Sequence, residues 1–479
     1  MKLLIVKYIS LLSLFNFLYI KVWIETSIMN PKNFFYLGGV PQKFLFYNFL
    51  SFIIFFSIFI FFLKLSEKFK FVKNFAKLIL IIEISYTLKT FFPYKYLSIF
   101  IFFILIIFFT FIFLKFDFKK NLKFLGIVFL PLFFLTTYNL SLLTFFLNPI
   151  THEQFSTSKK NKISSSSEKK KIIVWIVFDA LSMEKIYGNK NLENFNTIMQ
   201  TSDIYTNYKV NINDTGHSIP SLILGRDVRK IQTIYKDKKI SRNYFDEQGN
   251  FISNNFDNSI FDQINEEGKS IYINGWYYPY CNMVRVYNEC FSNLYSWDLY
   301  YSYNFNFLLI FNLYKMVPFR EFFLKKYKNI FHVENFGFKE AVKSHKFSLE
   351  HFLNALYNKF QFYFYHSSYP HRPYIFDSEK NSYTKNYFDK SSYEDNLIMT
   401  DLALGEIIKT LKLKNNFEGA LIIISSDHPV VDDKNSLNNY KKPVLLIKNR
   451  NQTNKKVINK EVYNFQLKNI ILKKISNSN

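Results

Sequence analysis

The alternation of apolar and polar positions changes character near Asn148. Before that point, apolar runs long enough to cross hydrocarbon stand at 3–24, 44–63, 76–92, 96–114 and 124–147. The third is interrupted by Glu83 and Lys89, and a charge at that depth has to face other helices or water. Lysines gather between the second and third runs (Lys64, Lys68, Lys70, Lys73) and between the fourth and fifth (Lys115, Lys119, Lys120, Lys123). The other two connections hold only Lys32, Lys43 and Lys95. Positively charged loops stay in the cytoplasm, so five spans put the amino terminus inside and everything after Leu147 outside.

Beyond the last run, 156–171 reads S-T-S-K-K-N-K-I-S-S-S-S-E-K-K-K, a solvated tether low in apolar residues. The pattern then becomes that of a folded domain. K-I-I-V-W-I-V-F-D at 171–179 is a continuous apolar run closed by an acid, as in a parallel strand buried on both faces. Similar runs recur at 270–278, 360–365 and 420–425, and 393–413 has helical spacing. The alternation predicts a mostly parallel sheet covered by helices, with a working site beyond the carboxyl ends of its strands. The expected organisation is a helical transmembrane domain over 1–150, a Ser/Lys-rich linker over 151–171 and an α/β domain over 172–479. The aromatic stretch 295–328 reads as a membrane-surface helix or as an ordinary core helix pair.

Composition changes this picture little. A net charge of +24 over 479 residues suggests anionic partners, but the lysines are scattered among Phe, Ile and Asn. Zinc-finger spacing, a dinucleotide glycine fingerprint and a phosphate loop are all absent from the sequence, which disfavours nucleic acid as a partner. The two cysteines, Cys281 and Cys290, are expected to pair if their region lies outside the cytoplasm, and otherwise to be two buried thiols.

Candidate chemistry centres on 213–225, N-D-T-G-H-S-I-P-S-L-I-L-G. The spacing sets Thr215 just ahead of a short apolar helix that Ser218 caps and that carries Pro220 in its first turn. A helix start favours an anion such as phosphate. A threonine hydroxyl is a weak nucleophile until a base or a bound cation holds it as the alkoxide. Asp179 follows the first strand, His366 and His371 follow the third in Y-H-S-S-Y-P-H-R-P-Y, and Asp427 and His428 follow the last in S-S-D-H-P. Each alone reads equally well as a cap or a loop residue. Together, two carboxylates, an imidazole and a hydroxyl on one rim are what a divalent cation requires, with Asp179, Thr215, Asp427 and His428 as ligands. Thr215 would then attack a phosphorus in line and carry the phosphoryl group until an alcohol or water releases it. His371 and His366 would hold a phosphate oxygen or protonate the leaving group, with Arg372 and its charge beside them.

These motifs resemble the alkaline phosphatase and sulfatase superfamily. The whole layout is similar to the bacterial phosphoethanolamine transferases that modify lipid A and to the lipoteichoic acid synthases. The resemblance implies a sulfatase-like α/β domain on the outer face of a bacterial inner membrane, with zinc as the metal and manganese as the alternative. It also implies a phospholipid donor and a lipid or glycan acceptor. In those transferases a threonine five positions before a proline becomes bound to phosphoethanolamine, matching Thr215 and Pro220. An acid after the first strand and an Asp-His pair hold zinc there, matching Asp179, Asp427 and His428, and a substrate-side histidine matches His371. The chain departs from their pattern in carrying Asp179-Ala180 for Glu-Thr, Pro429 for a glycine, and no histidine after His428. The Cys-x-Pro-Ser-Arg pattern of sulfatases is absent, which disfavours sulfate-ester hydrolysis. Two other readings remain: a hydrolase with water as acceptor, and a sulfatase-like membrane regulator without catalysis.

Overall fold

Ile173–Asp179 is buried along its whole length, which a strand covered on both faces requires. It forms the middle of a nine-stranded sheet in the computed structural model of the chain. The structure describes residues 2–25, 40–89, 95–141, 149–150, 155–159, 171–236, 239–293, 309, 312–313, 315–316, 333–358, 360–384, 391–430 and 442–476. These fall into two compact units. One holds the described residues up to 150 together with those between 309 and 316; the other holds the described residues within 155–293 and 334–476.

In the second unit the strands run, across the sheet, Lys456–Ile458, Asp203–Tyr205, Leu445–Lys448, Leu421–Ser426, Ile173–Asp179, Phe362–Pro370, Ile271–Trp276, Glu289–Asn293 and Phe155–Lys159. The five from Leu421–Ser426 to Glu289–Asn293 are parallel, so their carboxyl ends meet on one rim. Antiparallel strands flank this block on both sides. A mostly parallel central sheet is therefore present, and its principal strands are those the apolar runs predict. One differs: the third strand extends to Pro370, with an irregularity between Ser367 and Pro370, so His366 lies inside it and not after it.

Alternation along Ile173–Asp179 splits the core in two. Ile173, Trp175 and Val177 pack with Ile219, Leu222 and Ile223 of the helix Thr215–Leu224. Val174, Ile176 and Phe178 pack with Leu397, Leu404 and Ile408 of the helix Tyr393–Leu413, whose bounds match the predicted ones. That helix opens with a capping box between Ser392 and Asp395.

The Thr215 helix begins earlier than expected. Asp214 is its N-cap, accepting from the His217 N–H, so Thr215 is the first helical residue and Ser218 and Pro220 lie deeper within. The carboxylate reaches that N–H, whereas the buried Ser218 hydroxyl has no hydrogen-bond partner. Gly225 ends the helix with φ of 68°, a left-handed C-cap that suits glycine. The cysteines form a disulfide with Cα atoms 5.6 Å apart, tying the turn at Tyr280–Met283 to Glu289–Asn293.

The first unit is helical: α1 Lys2–Leu18, α2 Ile20–Glu25, α3 Gln42–Lys68, α4 Lys70–Lys89, α5 Lys95–Lys115, α6 Phe118–Val128 and α7 Leu130–Ser141. Among the described residues, one helix, Leu45–Lys68, is long and apolar enough to cross a membrane. The bent pair α6 and α7, at 50°, passes the same test as a single span. The remaining apolar runs fall on helices that are shorter or carry more charge, so length and composition alone do not return five spans. Buried polar groups cross-link the unit: Trp23 Nε1 donates to Asn16 Oδ1 at 3.0 Å, and Asn16 Nδ2 donates to Thr136 Oγ1 at 3.1 Å. Most of the aromatic stretch 295–328 lies outside the described residues; within it, Asn312 Nδ2 donates to Asn48 Oδ1 at 3.2 Å and to Ser51 Oγ at 3.1 Å.

Candidate active site

Two strand ends and one helix start converge on the carboxyl rim. Asp179 closes its strand, Asp427 and His428 follow Leu421–Ser426, and the first turn of Thr215–Leu224 brings Thr215 to the same point. Thr215 Oγ1 is 3.3 Å from His428 Nε2. The same nitrogen is 3.2 Å from Asp179 Oδ1 and 3.6 Å from Asp427 Oδ2. All four expected ligands are thus brought together, though they are scattered over the sequence.

Each group is aimed by its backbone. Ala180 takes φ of 60°, a left-handed conformation uncommon for alanine, and its N–H donates to Asp427 Oδ1 at 3.1 Å. The His428 N–H donates to that same oxygen at 2.7 Å. Leu181 N–H bonds Ser426 Oγ at 3.0 Å, so two strand ends are stitched together. The His428 ring donates from Nδ1 to the Pro429 carbonyl at 2.8 Å, which leaves Nε2 turned to the carboxylates and to Thr215.

This donor set fits a divalent cation. Asp179 Oδ1 and Oδ2 and Asp427 Oδ2 are buried without a hydrogen-bond partner, a costly arrangement unless a charge stands between them. One ligand atom each from Asp179, Asp427 and His428 lie within 4.8 Å of one another. Electrostatics agree with the geometry. Burial and the neighbouring Asp179 push the Asp427 carboxyl up to about 7. Burial opposes a charge on His428, but Asp427 and Asp179 outweigh it and raise the imidazole to about 10. Burial likewise opposes the charge on Asp179, yet His371, His428 and His366 hold its carboxyl below the ordinary value. The pocket therefore favours one added positive charge, which a proton or a metal ion supplies.

The two substrate-side histidines separate. His371 is exposed at the rim, its ring centroid 6.3 Å from that of His428, and its Nδ1 pairs with the Arg372 carbonyl at 2.8 Å. His366 is fully buried beneath, with Nδ1 2.9 Å from the Tyr280 hydroxyl and Nε2 unpartnered. Burial lowers His366 to about 4, so it sits there neutral. Arg372 Nε bonds the Tyr374 hydroxyl at 3.1 Å, and His217 pairs with Asp214 at 2.8 Å.

Sequence reasoning missed the supports. Tyr278 donates its hydroxyl to the Gly216 carbonyl beside Thr215, and Arg242 Nη1 bonds that tyrosine at 3.2 Å. Tyr280 and Trp276 enclose His366. The only signal for these was the aromatic density of 276–280, next to the end of a predicted strand.

No protein-family model matches the chain, and no curated protein matches it. Among solved structures, the chain is similar to a protein in the alkaline phosphatase superfamily from Vibrio parahaemolyticus, with 15% identity, TM-score 0.36 and coverage of 67% of this chain and 68% of that one. It is similar to a putative sulfatase from Bacteroides thetaiotaomicron, with 10% identity, TM-score 0.39 and coverage of 64% and 71%. It is also similar to the phosphonate monoester hydrolase of Agrobacterium radiobacter, with 10% identity, TM-score 0.39 and coverage of 64% and 73%.

Proposed function

We propose that the protein is a metal-dependent phosphotransferase of the alkaline phosphatase and sulfatase type, in which Thr215 is the nucleophile. The observation that carries this is the placement of Thr215 Oγ1 3.3 Å from an imidazole nitrogen that also faces two carboxylates with unpartnered oxygens. Asp179, Asp427, His428 and the Thr215 hydroxyl would hold the cation. Zinc suits this mixed oxygen and nitrogen set, with manganese as the alternative. When bound, the ion lowers the hydroxyl pKa and stabilises the oxygen that attacks.

The chain's own residues supply the rest. Thr215, its hydroxyl proton already lost to water, forms a bond from Oγ to phosphorus as the bond to the donor's leaving oxygen breaks, and it is the alkoxide again when the acceptor displaces it. With Nδ1 committed to the Arg372 carbonyl, His371 Nε2 is the nitrogen that hands a proton to that oxygen. An acceptor hydroxyl then returns a proton to His371 and attacks phosphorus, and the bond to Thr215 breaks. His366 is a positioning residue: buried and neutral, it packs between Tyr280 and Trp276 under the site.

The donor in this reading is a phospholipid with a phosphoethanolamine-like head group, and the acceptor is a lipid or glycan outside a bacterial inner membrane. The apolar first unit supports a membrane anchor, which holds the site near its donor. The Cys281–Cys290 disulfide supports an oxidising, extracytoplasmic setting. Labelled phosphatidylethanolamine tests the reading. Wild type transfers label, and Thr215→Ala lowers transfer by at least about a thousandfold while staying folded. Label released into water without an acceptor would make the enzyme a hydrolase, and full activity in Thr215→Ala would remove Thr215 from the chemistry.

A further inference from the structure

A second site lies in the helical unit. The start of α1, the end of α3 and the start of α6 enclose a cavity of about 350 Å³. Its floor is apolar, with Leu11, Leu63, Phe118 and Leu122 all buried. Lys7, Lys64, Lys119, Lys120 and Lys123 stand around it, and Glu67, the one acid among its lining residues, is already engaged by Lys119 at 3.2 Å. Two of the helices that line it are held tightly together further along: a Cβ on Gly126 would fall 2.0 Å from the Ser10 carbonyl oxygen, so α6 presses on α1 backbone to backbone.

We propose that this cavity binds the phosphate head group of an anionic phospholipid. The excess of lysines calls for an anion, and the apolar floor calls for an amphiphile. A free phosphate or nucleotide would match the charge and leave the cavity's mostly apolar lining in water, whereas a lipid satisfies both. The volume fits a head group and the first part of its chains, not a whole lipid. Ile5, Val6 and Ile9, exposed on α1 beside Lys7, continue the apolar surface along which the chains would lie. Lys64, Lys119, Lys120 and Lys123 belong to the two lysine-rich connections that the charge pattern places in the cytoplasm, where anionic lipid is exposed. The inference rests on reading the helical unit as membrane-embedded and not on the chemistry at Thr215.

Native mass spectrometry of the purified full-length chain in mixed micelles tests it, with phosphatidylglycerol and phosphatidylcholine of identical chains as probes. Wild type is expected to retain phosphatidylglycerol over phosphatidylcholine by at least about fivefold, roughly what one lysine contributes near an anionic head group, and to lose that preference as salt rises. The Lys7→Gln/Lys64→Gln/Lys123→Gln variant is expected to lose it, and Thr215→Ala to keep it. Equal retention of the two lipids by wild type overturns the proposal without needing any variant to fold. So does an unchanged preference in the lysine variant, or a preference that disappears in Thr215→Ala. The transferase reading is judged separately by head-group transfer, so the two can fail independently.

Discussion

The backbone N–H of Ala180 donates to Oδ1 of Asp427 at 3.1 Å, joining the ends of two adjacent parallel strands. The bond leaves Oδ2 of Asp427 without a partner and facing His428, 3.6 Å from its Nε2. A carboxylate held by one oxygen, with its other oxygen directed into a buried pocket, is placed to be a ligand.

Metal removal should therefore be visible in stability. Binding a native-state ligand at about a hundred times its Kd stabilises by roughly 2.7 kcal/mol. Chelation should lower the wild-type Tm measurably. In Asp427→Asn, which removes one of two buried acids that repel each other, the chelator should shift Tm little, and metal analysis should find the ion lost. A chelator effect as large in the variant as in wild type would place the metal elsewhere.

The disulfide should carry a modest share of stability. It closes a loop between positions 9 residues apart. A loop this short is worth about 2 to 3 kcal/mol through the unfolded state. The double variant Cys281→Ser/Cys290→Ser should lose about that much in denaturant unfolding and keep its transfer activity, since neither cysteine is among the proposed ligands or the groups that handle the transferred proton.

Acid sensitivity should report on His345. It is buried against the rings of Tyr369 and Tyr383, and burial, with Lys346 adding to it, lowers its imidazole to about 4. The unfolded value is about 6.5. Between those values the unfolded chain binds more protons than the folded one, so stability present above pH about 6.5 drains away as pH falls towards 4. The slope is at most about 1.4 kcal/mol per pH unit. His345→Gln should flatten the acid limb of a Tm against pH curve over that window, and an unchanged limb would show that His345 is not its source.

The sequence and the structure agree where local pattern suffices. The wholly apolar run before Asp179, the helical spacing over 393–413 and the Asp-His pair each carry a local signature, and the structure places them as predicted. The Thr215 helix was misjudged at its start because Asp214 and Ser218 are both good caps, and only the fold decides which side chain meets the free N–H groups. The link from Arg242 through Tyr278 to Gly216 was hidden for another reason: its members lie 36 and 62 positions apart, and no periodicity joins them. The helical unit was legible as apolar helices, while the number that span is set by lengths and bends such as the one between α6 and α7.

In the proposed reaction Thr215 carries the transferred group. Mass spectrometry of the intact protein after incubation with phosphatidylethanolamine tests it most directly. A phosphoethanolamine adduct is expected that maps to Thr215, builds up when acceptor is withheld and is missing from Thr215→Ala. An adduct on another residue, or head-group transfer with no adduct on Thr215 at any time, would contradict it.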